Sequence, residues 1–224
     1  MGGDDGAKGL PARNELHLLR KVFHAFNGLM FATVYYVAGY WLSIRLILAL
    51  AVFSWFLEAA RLGPLPQLNQ LLIRLTGGIM RASEVTRPSG ICFFATGVLV
   101  TGLLFSQRTT TLAILYLGLG DPFASAVGIL VGPSIPALRM PNGKSLAGTA
   151  AAWALNVCVT LLYLGPEMAG VLPLAVLGGL VGALTELAMP GPVRPKFVDD
   201  NFNIPIASGI ALHLLSAVLL DEPL

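Results

Sequence analysis

Seven apolar runs, each about long enough to cross a lipid bilayer, constrain this chain more than any other feature of its sequence. A helix of roughly 17–25 apolar residues crosses a hydrocarbon core of ~30 Å. Runs of about this length recur at residues 22–39, 41–60, 90–106, 109–131, 146–165, 171–189 and 203–220. Only 12% of the 224 residues are charged, about half the share found in soluble domains. The sequence therefore predicts an all-α polytopic membrane protein with about seven transmembrane helices.

Residues 64–88 differ from these runs because they mix leucine and isoleucine with charged residues such as Arg74 and Glu84. This pattern is typical of one interfacial helix that lies along the membrane surface. Residues 1–21 are polar and lack the apolar core of a signal peptide, so we interpret them as a cytosolic tail. Residues 22–224 then form a single membrane-embedded domain, because the connections between the runs are too short to hold another.

The basic residues are distributed unevenly between the two sides of the predicted bundle. With a cytosolic N-terminus, twelve of the 14 lysines and arginines lie on the cytosolic side: Lys8, Arg13, Arg20, Lys21, Arg61, Arg74, Arg81, Arg87, Arg139, Lys144, Arg194 and Lys196. The positive-inside rule favours this orientation, with the C-terminus on the opposite side. Glu58, Glu84, Glu186, Asp199 and Asp200 fall on the cytosolic side as well. One cytosolic vestibule is therefore the predicted place for chemistry.

The stretch YLGLGDPFASAVG, residues 116–128, places Asp121 inside an apolar run. A carboxylate in a membrane span costs free energy and usually marks a functional cavity. Pro122 has no amide hydrogen to donate to the carbonyl of Gly118. The stretch therefore predicts a broken helix that offers a carboxylate and a free backbone oxygen to a ligand. The alternative is a kinked helix with a neutral, hydrogen-bonded aspartate.

The stretch NGKSLAGT, residues 142–149, stands at the predicted cytosolic start of the fifth span. Gly143 frees the backbone, Lys144 supplies a positive charge, and Ser145 is a helix-capping residue. A helix N-terminus attracts anions, so we interpret the stretch as a phosphate cradle. It is not a Walker A loop, because Leu138 stands where that motif requires glycine. The alternative is a lysine that only sets topology; since Lys144 is in a loop, its replacement is expected to leave the fold intact.

The stretch FVDDNFNIP, residues 197–205, carries two adjacent carboxylates at the start of the last span. Such residues favour a helix N-terminus and can simply cap it. If Asp200 lies beside Asp121 and Glu186 in the vestibule, however, the three carboxylates form a hard-oxygen site suited to Mg²⁺.

The stretch RKVFH, residues 20–24, puts Arg20, Lys21 and His24 on one helix face at the cytosolic mouth. Phosphate contact and a topology-setting basic cluster with a packed histidine are equally good interpretations. Two pairs with i,i+3 spacing are interpreted mainly as structural helix ion pairs: Glu58 with Arg61, and Arg81 with Glu84.

Seven motifs in order resemble the CTP-dependent lipid kinases, a family that includes dolichol, phytol and diacylglycerol kinases. They are NELHLLRKVFH, FLEAARL, IMRASEVTRPSG, GLGDPFASAVG, GKSLAGT, GGLVGALTEL and DDNFNIPI. The likeness extends from about residue 14 to residue 215. The chain length and the RASEVTRPSG segment look most like the diacylglycerol kinase branch, since dolichol kinases are typically much longer. Pro122 departs from the family pattern, in which Thr or Ala often follows the aspartate.

The resemblance implies transfer of the γ-phosphate of CTP to a membrane lipid hydroxyl, most simply that of diacylglycerol, with a divalent metal (Mg²⁺ or Ca²⁺). It implies a cytosolic active site without a nucleic-acid partner, in the endoplasmic reticulum or nuclear envelope membrane if the chain is eukaryotic. The implied catalytic residues are Asp121 and Lys144. The implied nucleotide-binding residues are Arg20, Lys21, His24, Gly143, Lys144, Ser145 and Asn201, and the implied metal ligands are Asp121, Glu186 and Asp200.

One alternative comes from another functional class, and a second is a different enzyme. An ion-coupled membrane transporter would also use a broken helix with a carboxylate near the midplane, but no repeat relates the two halves of this sequence. A CTP-dependent cytidylyltransferase would also need metal, CTP and a membrane. The products separate the two enzymes, because nucleotidyl transfer releases diphosphate and a kinase releases CDP.

Overall fold

The computed structural model of the protein describes residues 18–64, 66–77, 79–80, 84–189, 199–220 and 224. Within these residues the regular elements are helical, apart from an isolated bridge between Arg139 and Ser145. The elements are α1 (Leu18–Val37), α2 (Tyr40–Leu62), α3 (Pro66–Thr76), α4 (Gly90–Leu104), α5 (Gln107–Leu115), a π-helical segment (Tyr116–Gly120), α6 (Asp121–Val131), two 3₁₀ turns (Gly132–Ser134 and Pro136–Leu138), α7 (Leu146–Leu164), α8 (Leu172–Ala188) and α9 (Asp200–Leu219).

Each predicted apolar run coincides with helical structure. Among the described residues, four helical stretches are long and apolar enough to cross a membrane: Tyr40–Leu62, Gln107–Ser134, Leu146–Leu164 and Asp200–Leu219. α4 and α8 are apolar but shorter, and the 15 residues of α4 extend over only about 22 Å. The all-helical fold of a membrane protein is therefore confirmed, whereas the count of seven spans stays a prediction. α3 lies in the stretch predicted to be interfacial.

Two helices begin three or more residues earlier than the apolar runs predict. α1 begins at Leu18 rather than at residue 22, and α9 begins at Asp200 rather than at residue 203. In both helices the first turn is polar, with Arg20 and Lys21 in α1 and Asn201 in α9. Hydropathy locates only the apolar part of a helix, whereas backbone hydrogen bonding continues into a charged first turn.

The prediction that the helix breaks at Asp121 is wrong. α5, the π-helical segment and α6 form one continuous helix from Gln107 to Ser134, and Pro122 stands in the first turn of α6. The five residues Tyr116–Gly120 form the wider π-helical turn. Such a turn inserts extra backbone into a helix and often occurs at functional sites. In this wider turn the backbone hydrogen-bond pattern changes just before Pro122. The helix then continues through the proline without a break.

The described helices pack around two larger apolar clusters and one small one. α7, α8 and α9 lie side by side, and α4 packs against both α9 and α2. Buried residues such as Tyr35 and Ile47 belong to the first cluster, and Leu174 and Leu212 belong to the second. Many large apolar side chains point outwards instead; Leu162, for example, is 78% exposed. An apolar exterior of this kind suits a surrounding bilayer. Lipid tails are themselves apolar, so exposing such side chains to them costs little free energy.

α1 crosses the π-helical segment in direct backbone contact. A Cβ atom built on Gly28 would lie 2.4 Å from the Cα of Gly118, and one built on Gly118 would lie 2.5 Å from the Cα of Gly28. Small residues let membrane helices approach this closely. The contact holds the middle of α1 beside the segment that leads into Asp121.

Replacement of Gly28 by alanine is expected to lower the stability of the folded protein by about 1–3 kcal/mol, because an added methyl group must push one backbone away from the other. Thermal unfolding in detergent measures the effect. Gly128→Ala is the matched control, since a Cβ there would meet only the Ser145 Cβ at an ordinary 3.5 Å, and alanine favours a helix over glycine. Equal stability of the two variants would contradict the tight crossing.

Candidate active site

A tight turn presents Lys144 at the N-terminal end of α7. The Gly143 amide donates to the Met140 carbonyl (2.9 Å), and the Met140 amide donates to the Lys144 carbonyl (2.8 Å). Gly143 has a φ of 82°, a conformation that side chains other than glycine rarely adopt. The Asn142 side-chain oxygen accepts from the Lys144 amide (3.1 Å). The glycine is therefore required by the geometry of the turn itself.

Asn142 also binds this turn to the end of α8, a contact that the sequence did not predict. Its side-chain amide donates to the carbonyls of Leu187 (2.7 Å) and Met189 (3.1 Å). Carbonyls at a helix C-terminus lack partners within the helix, so the asparagine satisfies two groups there. The only available signal was its position next to Gly143, which does not reveal a partner more than forty residues away.

The Lys144 ammonium lies between two carboxylates from different helices. It is 2.7 Å from Glu186 Oε1 in α8 and 3.7 Å from Asp200 Oδ2 in α9, and it also donates to the Glu186 carbonyl. All three side chains are only 9% exposed. We call these three residues together with Asp121 the Lys144 cluster. Its ion pairs join three helix ends, all of which the charge distribution predicts to lie on the cytosolic side.

Asp121 is included in the cluster because its carboxylate, like that of Asp200, lies near the Glu186 carboxylate. The Asp121 side chain is half-buried at the first position of α6. One turn further on, Ser125 accepts a hydrogen bond of 2.5 Å from the Lys21 ammonium. Lys21 therefore brings the start of α1 to the same face of α6.

Two caps position the ends of α7 and α9. The Ser145 hydroxyl accepts from the amides of Ala147 (3.1 Å) and Gly148 (3.3 Å). The Asp199 side chain accepts from the Asn201 amide (3.0 Å). The two adjacent carboxylates thus have different roles: Asp199 caps α9, and Asp200 faces Lys144.

Arg20 has a different partner from its neighbour Lys21. Its guanidinium makes two hydrogen bonds of 2.9 Å to the Glu84 carboxylate and donates to the Ile79 carbonyl (2.6 Å). Glu84 is thus bound by a residue 64 positions away in the sequence. The partner predicted for it, Arg81, lies outside the described residues.

His24 and Asn201 lie near this Arg20 pair. The His24 ring packs edge-on against Phe94 with its centroid 5.9 Å away. A Cβ atom on Gly90 would lie 2.6 Å from the Asn201 side-chain nitrogen and 3.2 Å from Arg20 Nη2. Glycine at position 90 therefore leaves room for both polar side chains at one place.

The predicted pair Glu58–Arg61 exists and is buried. Arg61 also donates to the carbonyls of Val85 (3.0 Å) and Arg87 (2.6 Å), and Glu58 accepts from the amide and hydroxyl of Ser89 (3.1 and 3.2 Å). The pair therefore fixes the segment before α4 against α2, which is the structural role predicted for it.

The structure thus separates the predicted site residues into two neighbouring groups. Lys21 lies next to the Lys144 cluster through its bond to Ser125, and Gly143 and Ser145 shape the turn that presents Lys144. Arg20, His24 and Asn201 lie together beside it, in contact with α4. No group of three His, Cys, Asp or Glu side chains in the described part of the chain is arranged to hold a metal ion, so the three-carboxylate metal site stays a prediction.

Comparison with known proteins supports the resemblance seen in the motifs. The chain is 30% identical over 219 residues to CTP-dependent diacylglycerol kinase 1 of Eremothecium gossypii, covering 88% of this chain and 67% of that protein. It is 28% identical over 219 residues to the protein of the same name from Saccharomyces cerevisiae, covering 87% and 71%. It is 29% identical over 161 residues to the Schizosaccharomyces pombe protein, covering 67% and 71%.

No family model and no solved structure matches the chain. The three fungal relatives nevertheless extend over most of its length and carry one name, so the predicted resemblance is confirmed and a transporter is not favoured. With 30% identity over two thirds of a curated relative, this chain belongs to the family of CTP-dependent diacylglycerol kinases.

Proposed function

We propose that this protein phosphorylates diacylglycerol with CTP and releases phosphatidate and CDP. The lipid hydroxyl oxygen forms a bond to the γ-phosphorus of CTP, while the bond from that phosphorus to the β,γ-bridging oxygen breaks. CDP leaves with the electron pair of the broken bond, and the hydroxyl proton passes to a carboxylate of the site or to water. The relatives' common name supports the phosphoryl donor and the class of acceptor.

The single observation that supports a site for this reaction is the Lys144 cluster. Phosphoryl transfer needs little covalent chemistry from the protein; it needs positioning and a favourable electrostatic environment for the phosphates. Lys144 supplies a buried positive charge at a helix N-terminus, where anions are favoured, and Lys21 brings a second cation to Ser125. Asp121 is the proposed catalytic carboxylate, and the assignment of both cations to CTP is part of the same proposal.

The donor chemistry of the cluster fits a divalent metal. Mg²⁺ is usually held by one or two carboxylates, waters and substrate phosphates rather than by an all-protein cage. Glu186 and Asp200 already form ion pairs with Lys144. The arrangement therefore suits a metal ion that is bound partly by these carboxylates and partly by the phosphates of CTP. Asp121, Glu186 and Asp200 remain the proposed ligands of Mg²⁺ or Ca²⁺, which would neutralise charge on the phosphates when bound.

Purified protein with labelled CTP and diacylglycerol is expected to produce labelled phosphatidate and unlabelled CDP when the label is on the γ-phosphate. ATP in place of CTP, and dolichol or phytol in place of diacylglycerol, are the matched comparisons. Release of diphosphate would show a cytidylyltransferase instead. Phosphorylation of dolichol or phytol but not of diacylglycerol would assign the protein to another branch of the family.

The same assay tests the proposed cytosolic active site. In sealed microsomes the cytosolic face points outwards, and CTP does not cross the bilayer. Activity on added CTP is therefore expected without detergent. Activity that appears only after permeabilisation would place the site on the opposite side and overturn the proposed orientation.

A further inference from the structure

A cavity of about 260 Å³ lies between α1, α2, α4 and the segment that precedes α4. α1 and α2 pack together near their connection, where Tyr35, Ile44 and Ile47 share one apolar cluster. Elsewhere the two helices contact each other only sparsely. They therefore separate towards the end of the bundle that carries Arg20, and the cavity occupies the space between them.

This cavity is polar at one end and apolar at the other. The polar end contains the ion pairs Arg20–Glu84 and Arg61–Glu58, and the apolar end is lined by Met30, Phe31, Leu50 and Phe94. Ten residues separate Arg20 from Met30 along α1, a rise of about 15 Å. This is half of a ~30 Å hydrocarbon core, so the cavity matches the polarity profile of one leaflet.

The polar end carries no excess charge. Its two arginines and two glutamates neutralise each other, and the arginines are further bonded to backbone carbonyls: Ile79 accepts from Arg20, and Val85 and Arg87 accept from Arg61. Nucleotide phosphates are usually bound together with a divalent metal, but here both carboxylates are bound by arginines; the Lys144 cluster instead has three carboxylates around one lysine. A neutral headgroup with hydroxyl and ester oxygens needs only hydrogen-bonding groups next to an apolar channel.

We infer that this cavity binds the acceptor lipid, with its glycerol hydroxyl at the polar end and the first part of one acyl chain between Met30 and Leu50. Asn201 lines the cavity and directly follows Asp200, so a hydroxyl beside Asn201 adjoins the Lys144 cluster. The inference rests on the proposed function, because it names where the acceptor of that reaction is bound.

The size and openness of the cavity agree with this occupant. A volume of about 260 Å³ is below the ~300–1,000 Å³ of typical small-molecule sites, so it holds only part of a diacylglycerol. Met30 and Ile91 line it and are each 39% exposed. The remainder of the lipid therefore extends through this side into the bilayer, and the acceptor enters laterally without leaving the membrane.

Leu50→Trp is expected to raise the KM for diacylglycerol in mixed micelles about fivefold, because a larger side chain fills the apolar end. The KM for CTP is expected to stay unchanged. Leu48→Trp is the matched control, since Leu48 is on the same helix, is 47% exposed and does not line the cavity. Equal kinetics for the two variants would overturn the inference, as would a rise in the KM for CTP alone, which would assign the cavity to the nucleotide.

Photocrosslinking provides a readout that does not depend on turnover. A diacylglycerol with a diazirine near the start of one acyl chain is expected to label α1, α2 or α4 at lining residues, and excess unlabelled diacylglycerol is expected to prevent this. Labelling confined to other helices in an active protein would refute the cavity assignment while the kinase function stands. Competed labelling of the cavity in a protein without kinase activity would support the binding site and refute the proposed function.

Discussion

Replacement of Asp121 by asparagine is expected to lower phosphorylation of diacylglycerol by about a hundredfold or more, while the protein still inserts and folds. Asparagine keeps the size of the side chain but removes the anion that holds a metal or accepts the hydroxyl proton. A charge within a membrane span is costly, so thermal stability in detergent is expected to be unchanged or higher. The measurements are kcat with CTP and diacylglycerol, and thermal unfolding of the same preparation.

Asp199→Asn is the matched control for this variant. It makes the same chemical change at a residue that caps α9, and asparagine caps a helix as well as aspartate does. Its turnover is therefore expected to stay close to that of the wild type. Wild-type turnover by folded Asp121→Asn protein would refute the catalytic assignment and leave Asp121 as a structural polar group.

Replacement of Lys144 by methionine is expected to reduce turnover with CTP by about tenfold or more, because a phosphate contact loses its charge. It is also expected to destabilise the fold by about 3 kcal/mol, since Glu186 and Asp200 are left without their buried cation. This second effect corrects the expectation from the sequence that the fold would be unaffected. Lys144 is in a loop, but its side chain is as buried as its two partners.

A double variant separates these two effects. Lys144→Met combined with Glu186→Gln removes one positive and one negative charge, so most of the lost thermal stability is expected to return. Turnover is expected to remain low, because the phosphate contact is still missing and the replaced Glu186 is also a proposed metal ligand. Full turnover in the double variant would show that Lys144 acts only by balancing Glu186 and has no role towards CTP.

Local chemistry made several parts of this protein predictable. The apolar runs located the helices, because membrane-spanning segments must satisfy their backbone hydrogen bonds internally and have few alternatives to a helix. Ser145 was recognised as a cap, and Glu58 and Arg61 as a pair, since both contacts join residues within one turn of each other. The π-helical turn before Asp121 was missed, because Pro122 predicted a break and no sequence pattern distinguishes the two solutions.

The sequence by itself determined which segments are helical, which residues carry charge within them, and which family their motifs resemble. Only the tertiary structure decided that Lys144 lies between Glu186 and Asp200, that Arg20 binds Glu84, and that α1 and α2 separate around a cavity. The periodicity and hydropathy of a segment show which of its residues are apolar, but they do not identify the segment against which it packs. The partner of a buried charge depends on the rotation and crossing of helices that are distant in the chain, which are set by close contacts such as that between Gly28 and Gly118.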